Sequence, residues 1–255
     1  MNLSFAMYSI VCPLVFLAGF VDSIAGGGGL ISLPAYLLAG LPAHYAIGTN
    51  KTAMSIGTLT AAVKYLKAGK IDLRVGILSA AGSFLGASGG SALALMIPDS
   101  ILKMIMLAIL PVVAVFLLIK KDFGEAVDSS KKISAQRLTV SSLVIGLVIG
   151  CYDGLIGPGT GTFFILVFTA LLGFDLLKSS GCAKAANLAS NVASMIVFSV
   201  NGKVLFPLAI PAAFFAVAGN YCGARLAISG GSKYVRYAIF LVIGLLFIKM
   251  ASELI

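Results

Sequence analysis

The sequence predicts an all-α polytopic membrane protein, built as two inverted repeats of about five hydrophobic segments each, with short broken or re-entrant helices after glycine-rich breaks. Three observations predict it. First, 60% of the 255 residues are hydrophobic and only 11% are charged, with a mean hydropathy of +1.08. A soluble domain covers its surface with about 25% charged residues, so the solvent that tolerates this chain is lipid. Second, the apolar runs are continuous, as in 102–119, and do not alternate. Hydrocarbon offers no hydrogen-bond partners, so spanning backbone is helix or closed barrel, and unbroken runs select helix. Third, the few polar residues inside the runs recur as two matching sets.

The first repeat, 1–119, contains runs at 5–25, 30–41, 44–66, 75–97 and 101–119. No basic segment precedes the first run, and Asp22 and a glycine series follow it, the pattern of a retained helix and not of a cleaved signal. Segment 120–137 sets Lys120, Lys121, Lys131, Lys132 and Arg137 against Asp122, Glu125 and Asp128, and reads as an aqueous linker. The second repeat, 138–255, contains runs at 139–156, 162–173, 180–200, 205–224 and 234–250. The second run of each repeat falls short of the roughly 20 residues a spanning helix needs. Each follows a break: Gly26, Gly27, Gly28 and Gly29 in the first repeat, and Gly157, Pro158, Gly159, Thr160 and Gly161 in the second.

The repeats align. Gly19 and Asp22 match Gly150 and Asp153, and 48–71 matches 181–204 without gaps, pairing Lys51 with Lys184 and Gly69 with Gly202. Glycine matches are cheap in this composition, but intramembrane Asp and Lys are rare. Loop charge gives the relative orientation. Lys64, Lys67, Lys70 and Arg74 follow the third run of the first repeat, and only Lys203 stands in the matching loop. The next loop reverses the bias, with Asp99 and Lys103 against Arg225, Lys233 and Arg236. Cytoplasmic loops carry the Lys/Arg excess. Equivalent loops therefore face opposite sides, the 120–137 linker is cytoplasmic, and both termini lie outside a bacterial-type plasma (inner) membrane that the chain crosses many times. The net charge of +9 is accounted for by this orientation signal, which leaves no nucleic-acid patch. Trp is absent, so Tyr45, Tyr65, Tyr234 and Tyr237 are the candidates for the interfacial belt.

Broken helices in inverted repeats place binding sites near the midplane, where half-helix N-termini face anions. The first N–H groups of a helix lack intrahelical partners and sit at the positive end of its dipole, and glycine lets a ligand approach them. Gly26, Gly27, Gly28, Gly29, Gly157, Gly159, Thr160 and Gly161 are thus candidate anion ligands, with hydroxyls from Ser23, Ser32 and Thr162 in support. Close helix packing is the competing reading for these glycines, and the favoured one for Gly82, Gly86, Gly219 and Gly223. Lys51 with Ser55 and Thr58, and Lys184 with Asn187, Asn191 and Ser194, each set on one helical face, form a cationic hydrogen-bonding wall; the competing reading is lysines anchoring helix ends at the interface. Asp22 and Asp153 are proton-coupling candidates, or structural acids that cap the next half-helix or pair with a lysine. His44 reads as an interfacial loop residue. Cys12, Cys151, Cys182 and Cys222 read as small hydrophobes. No residue spacing implies a metal site, a cofactor or a hydrolytic triad, so an enzyme is not expected.

Gly-Phe-Val-Asp-Ser-Ile-Ala-Gly-Gly-Gly-Gly from Gly19, the later Gly-Thr-Asn-Lys ending at Lys51, and Gly-x-x-Asp-Gly-x-x-Gly-Pro-Gly-Thr-Gly from Gly150 resemble the TauE/SafE family, the toluene sulfonate uptake permeases. The resemblance covers essentially the whole chain. It implies a secondary transporter for a small sulfur-containing anion such as sulfite, sulfoacetate or another organosulfonate, whose motif positions here are Asp22, the four glycines, Asn50 and Lys51, then Asp153, 157–161 and Lys184. Alternating access with proton coupling is the expected mechanism. A passive anion channel, a carrier of a non-sulfur organic acid and a membrane scaffold are the alternatives. The expected partners are the anion and membrane lipid; a homo-oligomer stays open.

Overall fold

The computed structural model describes residues 4–119, 134–231 and 233–234, with side chains described for these except 110–119. They form nine helices and no strand: α1 (Phe5–Ala25), α2 (Gly29–Leu38), α3 (Ala43–Lys67), α4 (Leu73–Met96), α5 (Asp99–Ile119), α6 (Ala135–Leu155), α7 (Thr160–Leu172), α8 (Leu176–Val200) and α9 (Phe206–Gly230). The expected run at 234–250, apart from Tyr234, and most of the linker fall outside the described residues. Arg137, expected in the linker, lies inside α6, because Ser134 accepts the Arg137 N–H at 3.3 Å and starts the helix there. Asp175 likewise accepts the N–H groups of Leu177 and Lys178 at 2.9 Å and starts α8 four residues before the apolar run.

By length and composition, α1, α4, α6 and α9 can cross a membrane. At 1.5 Å per residue α3 and α8, 25 residues each, are also long enough to cross a hydrocarbon core of about 30 Å. α2 and α7, with 10 and 13 residues, are too short. The surface of the spanning helices is apolar: Ile77, Leu85 and Phe214 are more than 60% exposed, a pattern suited to lipid and not to water.

α1 packs on α9 and α4 on α6; α3 packs on both α8 and α9, and α4 on α8. Exchanging α1–α4 with α6–α9 maps these pairings onto one another. α3 and α8 also end identically. Gly69 and Gly202 both sit at φ 66°, and the next residues, Lys70 and Lys203, donate back to the Tyr65 and Phe198 carbonyls at 2.9 and 2.8 Å. Both are the glycine-terminated end in which a left-handed residue lets two N–H groups satisfy the last carbonyls.

Small residues set the closest helix crossings. A Cβ on Gly82, Gly86 or Gly90 would overlap the carbonyls of Leu143, Leu147 and Cys151, and one on Gly219 or Gly223 would overlap those of Phe16 and Phe20. The helices meet backbone to backbone, as small-xxx-small faces do. Between them, a cluster around Phe164, Phe168 and Leu176 fills one side of the bundle, and another around Leu33, Ile47 and Phe198 packs under α5.

Candidate functional site

The two glycine breaks cross each other. α1 stops at Gly26, whose φ of 77° is left-handed, and α7 starts after Gly159, also at φ 77°. A Cβ on Gly26 would overlap Gly161, and one on Gly29 would press on the Gly157 carbonyl at 3.2 Å. Glycine is required here because two backbones occupy adjacent space.

Four charges gather at this crossing as two ion pairs, each joining one half of the chain to the other. Lys51 Nζ lies 2.6 Å from Asp153 Oδ2, and Lys184 Nζ lies 2.7 Å from Asp22 Oδ2. All four side chains are 5% exposed or less. The lysines are therefore not interfacial anchors: each is the ninth residue of a 25-residue helix and is paired in the interior. Buried charges are tolerated when paired and hydrogen-bonded. Lys51 also donates to Asn191 Oδ1 at 3.2 Å, Asp153 Oδ2 accepts the Ser190 hydroxyl at 2.5 Å, and Asp22 Oδ1 accepts the Gly28 N–H at 3.3 Å. The two acids thus do what the structural reading expects of them, pairing with lysines, and Asp22 also binds the break before α2.

A cavity of about 20 Å³, counted over positions open to the centre of a water molecule, sits between the breaks. That exceeds the ~10–15 Å³ one water needs. Asp22, Gly26, Gly29, Asn50, Lys51, Asp153, Gly157, Gly161, Asn187 and Asn191 line it, joined by Leu33 and Met54. Gly27, Gly28, Gly159, Thr160 and Lys184 do not form its wall. Asn191 donates to Asn187 Oδ1 at 2.8 Å and to Thr58 Oγ1 at 3.3 Å, which fixes the amide stripe on α8. Asn50 Oδ1 is buried without a partner.

The hydroxyls at the breaks bond backbone carbonyls. Ser23, Ser32 and Thr160 donate to the carbonyls of Phe20, Gly28 and Gly157, and Thr162 donates to Ala25 O at 2.8 Å. Ser23, Ser32 and Thr160 each find a carbonyl one turn back, whereas Thr162 of α7 ties down the end of α1; together they brace the breaks. Tyr65 is not an interfacial residue: it is fully buried and its hydroxyl donates to Ser23 O at 2.9 Å. His44 is no loose loop residue either. It is the second residue of α3, with Nδ1 3.0 Å from Asp99 Oδ1 and Nε2 3.0 Å from Ala94 O, and Asp99 also accepts the Ala43 and His44 N–H groups. Among the cysteines Cys12 and Cys182 are buried, Cys151 is half-buried and Cys222 is exposed. Ser190, which sequence reasoning missed, lies three residues beyond Asn187 on the same stripe; its small size in an Ala/Ser-rich helix hid it.

Residues 11–250 match the family model described as "Sulfite exporter TauE/SafE". The chain belongs to the TauE/SafE family. This TauE/SafE chain is 35% identical over 256 residues to the Probable membrane transporter protein ORF9 of Sinorhizobium sp, covering 99% of the chain and 95% of that relative. It is 32% identical over 257 residues to a Probable membrane transporter protein of Haemophilus influenzae, covering 99% and 98%, and 31% identical over 240 residues to the Probable membrane transporter protein YfcA of Escherichia coli K12, covering 94% and 88%. No solved structure is a significant match. With its apolar spanning helices, the chain is a multi-pass membrane protein of a transporter family, not an enzyme.

Proposed function

We propose that this chain is a secondary carrier of a small sulfur oxyanion or sulfonate, working by alternating access with a proton as the coupling ion. The single observation that carries the reading is the Lys51–Asp153 pair on the wall of a cavity lined by two glycine breaks and three asparagines. An ammonium has three N–H donors. Lys51 uses two, on Asp153 and Asn191, and the third remains for a guest. An oxyanion entering the cavity competes with the Asp153 carboxylate for Lys51, and a proton on Asp153 removes the repulsion. The amide groups of Asn50, Asn187 and Asn191 and the backbone at Gly26, Gly29, Gly157 and Gly161 then form the remaining shell. The small volume of the cavity supports a carrier that must open to load over a standing channel.

The exchange symmetry of the helix pairings and the identical ends of α3 and α8 support two repeats, and the loop-charge bias supports their inversion across a plasma membrane. On that reading α2 and α7 enter the membrane without crossing it alone, and the linker is cytoplasmic.

The test is a thermal-shift screen of detergent-purified protein against sulfite, thiosulfate, sulfoacetate, taurine and simple carboxylates, followed by flux in proteoliposomes. A ligand at a hundred times its Kd stabilises the folded state by about 2.7 kcal/mol. Sulfite or a sulfonate should raise the melting temperature and cross the vesicle membrane, and Lys51→Ala should abolish both. If no sulfur anion shifts the melt or moves, the reading fails; if only carboxylates do, the substrate is a non-sulfur organic acid.

A further inference from the structure

The two ion pairs are related by the alignment of 48–71 with 181–204, yet their surroundings differ. Lys51 lines the cavity, and Lys184 does not. Lys184 is 0% exposed, and Asp22 is its one hydrogen-bond partner among the described residues. Of the polar groups near the first pair, only Asn191 has a polar counterpart near the second, the buried Thr58. Asn50 matches Ala183, Asn187 matches Met54, and Ser190, which donates to Asp153, matches Gly57. The ends of α1 and α6 differ as well. Two carbonyls at the end of α1 are tied down from other helices, Ser23 O by the Tyr65 hydroxyl at 2.9 Å and Ala25 O by the Thr162 hydroxyl at 2.8 Å, and between them Ile24 O lies 3.3 Å from the Ser180 hydroxyl, which bonds Leu176 O more closely at 2.8 Å. At the end of α6 Ser91 reaches Gly154 O at 3.1 Å, and the residue that matches Tyr65 is Phe198, which has no hydroxyl.

Resting on the carrier reading above, we propose that the two pairs have separate tasks: Lys51–Asp153 opens to admit the anion, and Lys184–Asp22 stays closed through the cycle as a strut that holds the end of α1 on α8. The physical reason lies in what replaces a lost contact. Opening a buried ion pair leaves two uncompensated charges unless other polar groups take over. Around Lys51–Asp153 the three asparagines and Ser190 supply donors and acceptors, and the guest itself supplies the negative charge. At the matching positions near the other pair, Ala183, Met54 and Gly57 supply none, and the one polar match, Thr58, already accepts from Asn191. Lys51 is therefore the cation that meets substrate, and Lys184 is a positioning residue.

The experiment has two arms. Purified wild-type protein in detergent is reductively methylated with formaldehyde and borohydride, with and without sulfoacetate, and the lysine peptides are quantified by mass spectrometry. Lys51 should be modified at least tenfold faster than Lys184. Sulfoacetate should slow Lys51 and leave Lys184 unaffected. In the second arm both charges of a pair are removed together, so that no buried charge is left alone. Lys51→Met with Asp153→Asn should fold, by melting temperature and size exclusion, and should lose sulfite and sulfoacetate flux more than a hundredfold. Lys184→Met with Asp22→Asn should lower the melting temperature and reduce flux per folded molecule less than fivefold. Equal modification of the two lysines, or faster modification of Lys184, overturns the proposal, as does comparable loss of flux in both double variants. If the Lys184 double variant does not fold, the labelling rates decide alone. Wild type that moves neither anion defeats the carrier reading, and the labelling rates still decide whether the pairs differ in access.

Discussion

At Gly26 the chain turns left-handed at φ 77°, and the space a Cβ would occupy is already filled by the backbone of Gly161. Two penalties therefore add in Gly26→Ala: about 1–2 kcal/mol for a left-handed L-residue and about 1–3 kcal/mol for overpacking. The expected loss is roughly 2–5 kcal/mol, read as a fall in folded yield and melting temperature in detergent. Gly69→Ala is the control, since φ is 66° there but nothing lies within 4 Å; it should carry the first penalty alone, and equal losses at the two positions would remove the crossing of the breaks from the account. Residue types at the site were readable from sequence because charge in apolar helices is rare. Lys51, Lys184, Asp22 and Asp153 stood out for that reason. Their crossed pairing was not readable, since it depends on how two distant segments meet. Nor was the use of Ser23, Ser32, Thr160 and Thr162, because a hydroxyl that serves a ligand and one that bonds a nearby carbonyl look alike in sequence.

The helices join at their ends through acids. Asp72 caps α4 by accepting the Val75 N–H at 3.2 Å and meets Lys178 of α8 at 3.0 Å. Partial burial pushes its carboxyl upward, but the Lys178 ammonium and the Val75 amide outweigh that and hold it below the ordinary value. A depressed folded-state value means the stability it contributes is complete above the unfolded carboxylate range near ~3.9 and disappears as pH falls through the lower folded value. Melting temperature in detergent should therefore drop below about pH 4, and Asp72→Asn should be less stable than wild type at pH 6 while losing less on acidification. Parallel curves for the two proteins would show that Asp72 makes no such contribution. Caps of this kind also explain how the helix bounds departed from the apolar runs. Hydropathy located the long segments, but α8 begins at its Asp175 cap, ahead of its apolar stretch, and α9 continues past the exposed Arg225 to Gly230. A charge ends a hydrophobic run without ending a helix.

Across the molecule, the two lysines and two acids at the crossing cancel, so the site has no net charge to offer a guest. A monovalent anion entering alone would leave one negative charge uncompensated in a buried site, at a cost of several kcal/mol. On the proposed carrier reading, a proton entering with it would restore neutrality, and Asp153, displaced from Lys51 by the anion, would be the group that takes it. The loaded and empty carriers would then bear the same charge, and the membrane potential would do no work on the crossing. A permanently monovalent probe, methanesulfonate, should accumulate in proteoliposomes in response to a pH gradient in a one-to-one ratio with protons. At zero pH gradient it should ignore an imposed potential. An electrogenic carrier moving one charge would instead feel about 2.3 kcal/mol per 100 mV, an accumulation of roughly fiftyfold. Potential-driven accumulation of that size, or uptake indifferent to pH, would mean the guest is neutralised by something other than Asp153. With Asp153→Asn the same vesicles should lose the response to pH, because the amide that replaces the carboxylate can no longer carry the proton.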